Sequence, residues 1–224
     1  MIRRTMMFKI RDDVSAQETA RLEELVRRTP GEIEGVTRGS LGRNLDPRKP
    51  YTHVWDMDLT GPEAVQAYGP HPYHVDTLIP FFSPKSPTGI VESLDYAYYS
   101  PLATGSRPIG SQSLIRRVMF FQVSGEASDE QVAEVEERML ELPKRIPAIV
   151  NWSLNRTTDD RMPNPWTHVF ELEFADTAGL EVYSKDAFHL DVVAPYFRPD
   201  SPTRAVDRIS IGWYQAEAPF IVPD

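Results

Sequence analysis

The chain has 224 residues, 41 % hydrophobic and 25 % charged, the make-up of a soluble globular protein that can bury a core rather than of a disordered one. A formal charge of -9 opposes a nucleic-acid partner, because phosphate-backbone affinity rests on lysine and arginine displacing counterions. There is no cysteine, which excludes disulfides, thiolate nucleophiles and thiolate metal sites.

The N-terminal MIRRTMMFKIRDD has no apolar run of signal-peptide length, and nothing later approaches the roughly 20 apolar residues of a membrane span. A cytoplasmic protein without a membrane partner is the expectation. Ile2, Arg4, Met6, Phe8 and Ile10 alternate with Arg3, Thr5, Met7 and Lys9, which predicts a strand with one better-buried face. SAQETARLEELVRRT follows as a helix: Ser15 with Glu18 fits a capping box, and Ala20, Leu22, Leu25, Val26 and Thr29 form an apolar stripe that ends near Pro30-Gly31. Residues 36–44 and 51–59 read as a hairpin joined by DPRKP. Pro62 opens a short helix through Tyr68, HPYHVDTLIPFF adds another, and a last strand falls within residues 90–99.

The same order then recurs. Ile2-Arg3-Arg4 matches Ile115-Arg116-Arg117, Thr52-His53-Val54 matches Thr167-His168-Val169, and HPYHVDTLIPFFSPKSP matches DAFHLDVVAPYFRPDSP at seven of seventeen positions. The spacing predicts one domain over residues 1–99, a linker of Pro, Gly and Ser character over 100–113, and a second domain over 114–224 with a short C-terminal tail. Each half is a β-α-β-β-α-β unit, the ferredoxin-like pattern, so the fold class is α+β. Such a unit covers one sheet face with helices, and two units packed through their open faces would make an intrachain α/β barrel.

Candidate chemistry centres on the repeated polar residues. His53 and Trp55 share the aromatic face of the third strand, as His168 does in the second copy, and each strand histidine precedes a helix histidine, His74 or His189, by twenty-one residues. Two imidazoles on facing elements of a buried pocket can pass a proton; the plainer reading of His53 and His168 is core histidines that satisfy their own hydrogen bonds. Arg4 and Arg117 stand on the apolar side of the first strand, placed either to hold a carboxylate or oxyanion or to extend to water from the strand's end. Tyr68 and Tyr183 close the short helix and offer a hydroxyl to the same pocket or to a structural bond. His71 shapes the helix start in the first half, where Asp186 would cap it in the second. Asp76 and Asp191 stand two positions past a helix histidine and diverge from it, so no metal is expected. No glycine-rich phosphate loop or G-x-S-x-G elbow occurs.

The basic first strand, the Y-T-H-V strand and the Y-x-x-H-P-x-H segment ahead of a tyrosine-rich last strand together resemble the stress-responsive dimeric α/β-barrel family, often called Dabb, with a copy in each half. The resemblance implies a tandem member of a family whose enzymes include a plant polyketide cyclase and a plant hydroxynitrile lyase. The cyclase base carries over to His74 and, by position, to His189, while its assisting first-strand histidine is replaced by Arg4 and Arg117. The function implied by this resemblance is that of a lyase, cyclase or isomerase acting on a carbonyl compound, with His74 as base and Arg4, His53, Tyr68 and Trp55 around the substrate. Two alternatives stand beside it: a non-catalytic stress-response or ligand-binding barrel, and a haem-binding barrel. The expected ligand is a small molecule, acidic or polyketide-like, with no cofactor, in a monomer closed by its own barrel or in a homodimer.

Overall fold

The computed structural model describes residues 1–108, 113–158 and 165–221, and in them the two halves repeat one order of elements. The first unit, Met1–Ser100, holds β1 (Ile2–Ile10), α1 (Ala16–Glu32), β2 (Val36–Arg43), β3 (His53–Leu59), α2 (Pro62–Tyr68), a π-helical turn (Tyr73–Leu78), α3 (Ile79–Phe82) and most of β4 (Val91–Ser106). Its strands lie in the antiparallel order β2-β3-β1-β4. The second unit, Pro101–Asp224, holds β5 (Leu114–Val123), α4 (Asp129–Arg145), β6 (Ile149–Thr157), β7 (His168–Phe174), α5 (Thr177–Lys185), a second π-helical turn (Phe188–Val193), a 3-10 turn (Ala194–Phe197) and β8 (Val206–Ala216). Its strands follow the matching order β6-β7-β5-β8. The chain is therefore α+β, two tandem ferredoxin-like units.

Local chemistry explains where the helices begin. Ser15 accepts from the Glu18 backbone while the Glu18 carboxylate takes the Ser15 N–H, and Ser128 with Gln131 repeats the capping box at the start of α4. Leu22 and Val26 of α1 then bury against Met6, Phe8, Trp55 and Met57; Val135, Met139 and Leu142 of α4 do the same against Met119, Phe121, Phe170 and Leu172. Both helices run past an internal proline, Pro30 or Pro143, instead of stopping at it. In the first, the ring of Pro30 fills the space over Gly39, where an added Cβ would come within 3.1 Å of it. Among the described residues no helix is long and apolar enough to cross a membrane.

Three features depart from the expectations set by the sequence. The second face of β1 is as buried as the first, with Arg3 at 4 %, Thr5 at 0 % and Met7 at 0 % exposure. Its polar groups pair with one another: Arg3 and Arg38 both donate to Asp58, and Thr5 meets Asp56 and Tyr99. The second unit answers with Arg116 on Glu171 and Glu173, and the N–H groups of Phe220 and Ile221 donate to Glu173 at 2.7 and 3.1 Å, which ties the C-terminal segment down. The segment expected to link the halves is strand as far as Ser106; the Arg107 N–H donates to the Val150 carbonyl and Gly105 lies flat against Trp152, contacts that composition does not reveal. Residues 109–112 of that segment lie outside the described ones.

The third departure concerns the histidine segment, which is π-helical before it is helical. The Ile79 N–H reaches back five residues to the His74 carbonyl, and the Ala194 N–H reaches the His189 carbonyl in the same way. Pro80 and Pro195 supply the reason: each lacks the N–H that would donate to residue 76 or 191, so the ladder widens by one residue just before it.

Candidate functional site

The alternation of β1 and β5 sends Arg4 and Arg117 into the interior between sheet and helices, where they are 4 % and 6 % exposed. Nε and Nη1 of Arg4 and Nη1 of Arg117 are buried without a hydrogen-bond partner. A guanidinium is rarely left so, because stranding a buried donor costs about 1–3 kcal/mol. In the first unit its surroundings are aromatic: the Arg4 guanidinium carbon lies 5.1 Å from the Trp55 ring, 5.6 Å from Tyr68, 5.3 Å from Tyr96 and 5.6 Å from Tyr98. Four ring faces offset part of the lost hydration.

In the second unit Arg117 lies over Tyr183 at 5.3 Å and borders a cavity of about 100 Å³. His189, Tyr183 and Arg117 supply its polar edge; Met119, Leu142 and Phe170 are among its apolar walls. The π-helical turn is what aims the histidine. His189 packs on Tyr183 with 4.3 Å between ring centroids, as His74 packs on Tyr68 at 4.4 Å. The turns are started differently, yet alike in effect: His71 Nδ1 accepts from the Tyr73 N–H, and the Asp186 carboxylate accepts from the Phe188 and His189 N–H groups, so Asp186 replaces His71 as the cap.

The two helix histidines differ in one bond. His74 Nδ1 is 2.8 Å from the Gly69 carbonyl, whereas His189 Nδ1 is buried without a hydrogen bond of good geometry and feels the equivalent Ser184 backbone only weakly. Burial, then the neighbouring Arg117 charge, pushes His189 down to about 4, with the Ser184 backbone opposing weakly. Burial lowers His74 as well, with Arg4 adding to the effect. Both are neutral imidazoles at pH 7. Burial raises Tyr68 to about 12 and raises Tyr183, so both hydroxyls remain protonated donors.

The structure thus brings Arg117, Tyr183 and His189 together, and Arg4, Trp55, Tyr68 and His74. It places His53 and His168 elsewhere. Phe8, not Arg4, is the residue opposite His53, four positions along the strand, roughly 13 Å away. There His53 stacks on Phe8, its Nε2 meets Glu23 at 3.1 Å and its Nδ1 meets Thr52 at 2.8 Å; His168 repeats this with Phe121, Glu136 and Thr167. Both ring nitrogens are committed, which is the structural role of a core histidine. Tyr96, Tyr98, Met139 and Ile211 were not singled out by sequence; the tyrosine-rich pattern of β4 was the signal for Tyr96 and Tyr98. Among the described residues no group of three or more His, Asp or Glu could hold a metal ion. A haem does not fit beside His189, where the cavity of about 100 Å³ falls well below the ~300 Å³ of the smallest ordinary cofactor pockets.

With this geometry in view, comparison with known proteins places the repeat. The family described as "Stress responsive A/B Barrel Domain" matches residues 2–91 and again 115–208. Among solved structures, an anthrone oxidase-like protein matches with TM-score 0.65 at 13 % identity, covering 96 % of this chain and 90 % of its own. A Fusobacterium nucleatum protein provisionally assigned as a monooxygenase matches with TM-score 0.61 at 15 % identity, covering 99 % and 95 %. A regulator of staphylococcal pathogenesis matches with TM-score 0.50 at 9 % identity, covering 96 % and 98 %. At such identities the likeness is one of fold. No curated protein matches significantly in sequence.

Proposed function

The chain belongs to the stress-responsive A/B barrel family, with one domain in each half, and on that premise we propose that it is a small-molecule enzyme whose working site is the second-half cavity. The single observation that carries this reading is that Arg117 and His189, each with a buried nitrogen lacking a hydrogen bond of good geometry, border the same cavity. A fixed cation and a neutral imidazole in an apolar chamber suit abstraction of a proton next to a carbonyl group. The imidazole takes the proton from carbon, the C–H electrons pass into the enolate, and the new oxyanion rests against the Arg117 guanidinium. Tyr183 donates a hydrogen bond or shapes the floor. Return of the proton to a different atom makes the reaction an isomerisation; loss of a leaving group makes it a lyase.

The cavity bounds the substrate. At about 100 Å³ it is smaller than the ~150 Å³ cavity that accepts benzene, so its occupant has about four to six heavy atoms, with an anionic or carbonyl end toward Arg117 and a short apolar end toward Phe170 and Met119. A ligand-binding reading without turnover is favoured by one specific observation: a histidine pushed down to about 4, by burial first and Arg117 second, is a weak base, and an anion offsets only the second.

The test is incubation of the protein with short 2-oxo acids such as pyruvate in D2O, followed by NMR. Deuterium uptake at the carbon next to the carbonyl, lost in His189→Ala, supports the enzyme. Binding without exchange supports the ligand carrier, and neither binding nor exchange rejects the site.

A further inference from the structure

We propose that Tyr96 closes, in the first half, the pocket that Ile211 leaves open in the second, so that this one position decides which half has a working site. The register fixes the comparison. Tyr96 pairs with Met6 on β4, and Ile211 pairs with Met119 on β8, the same place in the two repeats. Ile211 lines the cavity beside Arg117. The Tyr96 ring instead stands 5.3 Å from the Arg4 guanidinium and edge-on to Tyr98 at 6.1 Å.

A second exchange acts in the same direction. Trp55 of β3 becomes Phe170 of β7, so the indole that lies 5.1 Å from Arg4 has a smaller ring as its counterpart at the cavity wall. With Trp55, Tyr68, Tyr96 and Tyr98 around it, Arg4 occupies its own aromatic box. The arginine and tyrosine of the first half are therefore present but enclosed, while Arg117, Tyr183 and His189 of the second half border open volume. Duplication copied the polar set and the last strand sorted the copies. The consequence for chemistry, one working site per chain at the second half, rests on the functional reading above; the closing of the first pocket by Tyr96 does not.

Xenon separates the two, because it enters dry apolar cavities whatever reaction they serve. Crystals of the full chain pressurised with xenon should show anomalous density beside Arg117 in the wild type. Tyr96→Ile should add a second site beside Arg4, at an occupancy within about twofold of the first. Ile211→Tyr should remove the original one. Folding of each variant is checked by circular dichroism and a cooperative melt. A folded Tyr96→Ile protein without xenon beside Arg4, or wild-type crystals with equal xenon beside both arginines, overturns the proposal. Should Tyr96→Ile fail to fold, Ile211→Tyr still decides: xenon retained in the second half overturns it, and xenon lost supports it. Xenon behaving as expected in a protein that neither binds nor exchanges 2-oxo acids rejects the carbonyl chemistry and leaves the gate in place.

Discussion

His189 and Arg117 face one cavity and oppose one another: burial first, and then the guanidinium charge, push the imidazole down to about 4 and keep it neutral. An anion seated on Arg117 would cancel that opposition. Binding of a small carboxylate is accordingly expected to raise the His189 titration midpoint by removing the Arg117 share of the shift, and NMR of the ring protons with and without pyruvate measures it. The pH profiles should separate in the same way. The acid limb of kcat/KM reports the free enzyme and should fall near pH 4, whereas the acid limb of kcat reports the complex and should lie higher. Coincident limbs would mean that Arg117 and the bound ligand do not interact.

Replacing Arg117 by methionine separates function from stability. The arginine is 6 % exposed with Nη1 unpaired, so it contributes desolvation cost without a full set of bonds. Arg117→Met is expected to leave the melting temperature unchanged or raise stability by about 1 kcal/mol, while lowering affinity for a small carboxylate at least tenfold. A destabilisation above about 2 kcal/mol would instead give Arg117 a structural task.

How much of the fold and the site was legible in the sequence depends on the range of the interaction involved. The Ser15–Glu18 capping box and the alternation that turns Arg4 inward are local patterns, and both were readable. The Asp186 cap was readable for the same reason. The π-helical turns were not, because nothing about Pro80 or Pro195 says whether a helix will break or widen ahead of it. That strand β4 runs on through PLATGS was not readable, because the residues near it, Val150 and Trp152, lie more than forty positions away. The fate of His53 turned on Glu23, thirty residues earlier on a helix face that reads as solvated. Comparing the halves could have exposed it, since Glu23 and Arg43 recur as Glu136 and Arg156 at one spacing.

Four buried or half-buried histidines set how stability depends on pH. Burial lowers His53, His74, His168 and His189 alike below their unfolded value of about 6.5, so the unfolded chain binds more protons below that pH. Their contribution is fully present above pH 6.5 and is lost as the pH falls through their folded values, down to about 4 for His189. The loss should accumulate between pH 7 and 4.5, with the partly exposed His74 and His189 contributing less than their burial alone would suggest. Urea midpoints across that range measure it, and His189→Gln should flatten the curve. A stability that holds constant over the window would rule out the neutral histidines.

Glu136 is expected to stabilise the second unit without touching its site. Burial alone would raise its carboxyl, but hydrogen bonds from Arg156 and His168 outweigh burial and hold it below the usual range. The ionised Glu136 therefore accepts from Nε2–H of a neutral His168, whose Nδ1 lies 2.9 Å from the Thr167 hydroxyl, and the helix is pinned to the strand through that chain. Glu136→Ala breaks the chain at its centre and should cost about 1–3 kcal/mol, read as a lower urea midpoint. Because its stabilising charge is present above the unfolded carboxylate value and lost as pH falls through the depressed folded one, the difference between Glu136→Ala and wild type should shrink toward pH 3. Pyruvate affinity and deuterium exchange should not change, since Glu136 is not among the residues lining the cavity beside Arg117. An equal loss of exchange in Glu136→Ala and His189→Ala would join His168 to the chemistry and return the strand histidines to the active site.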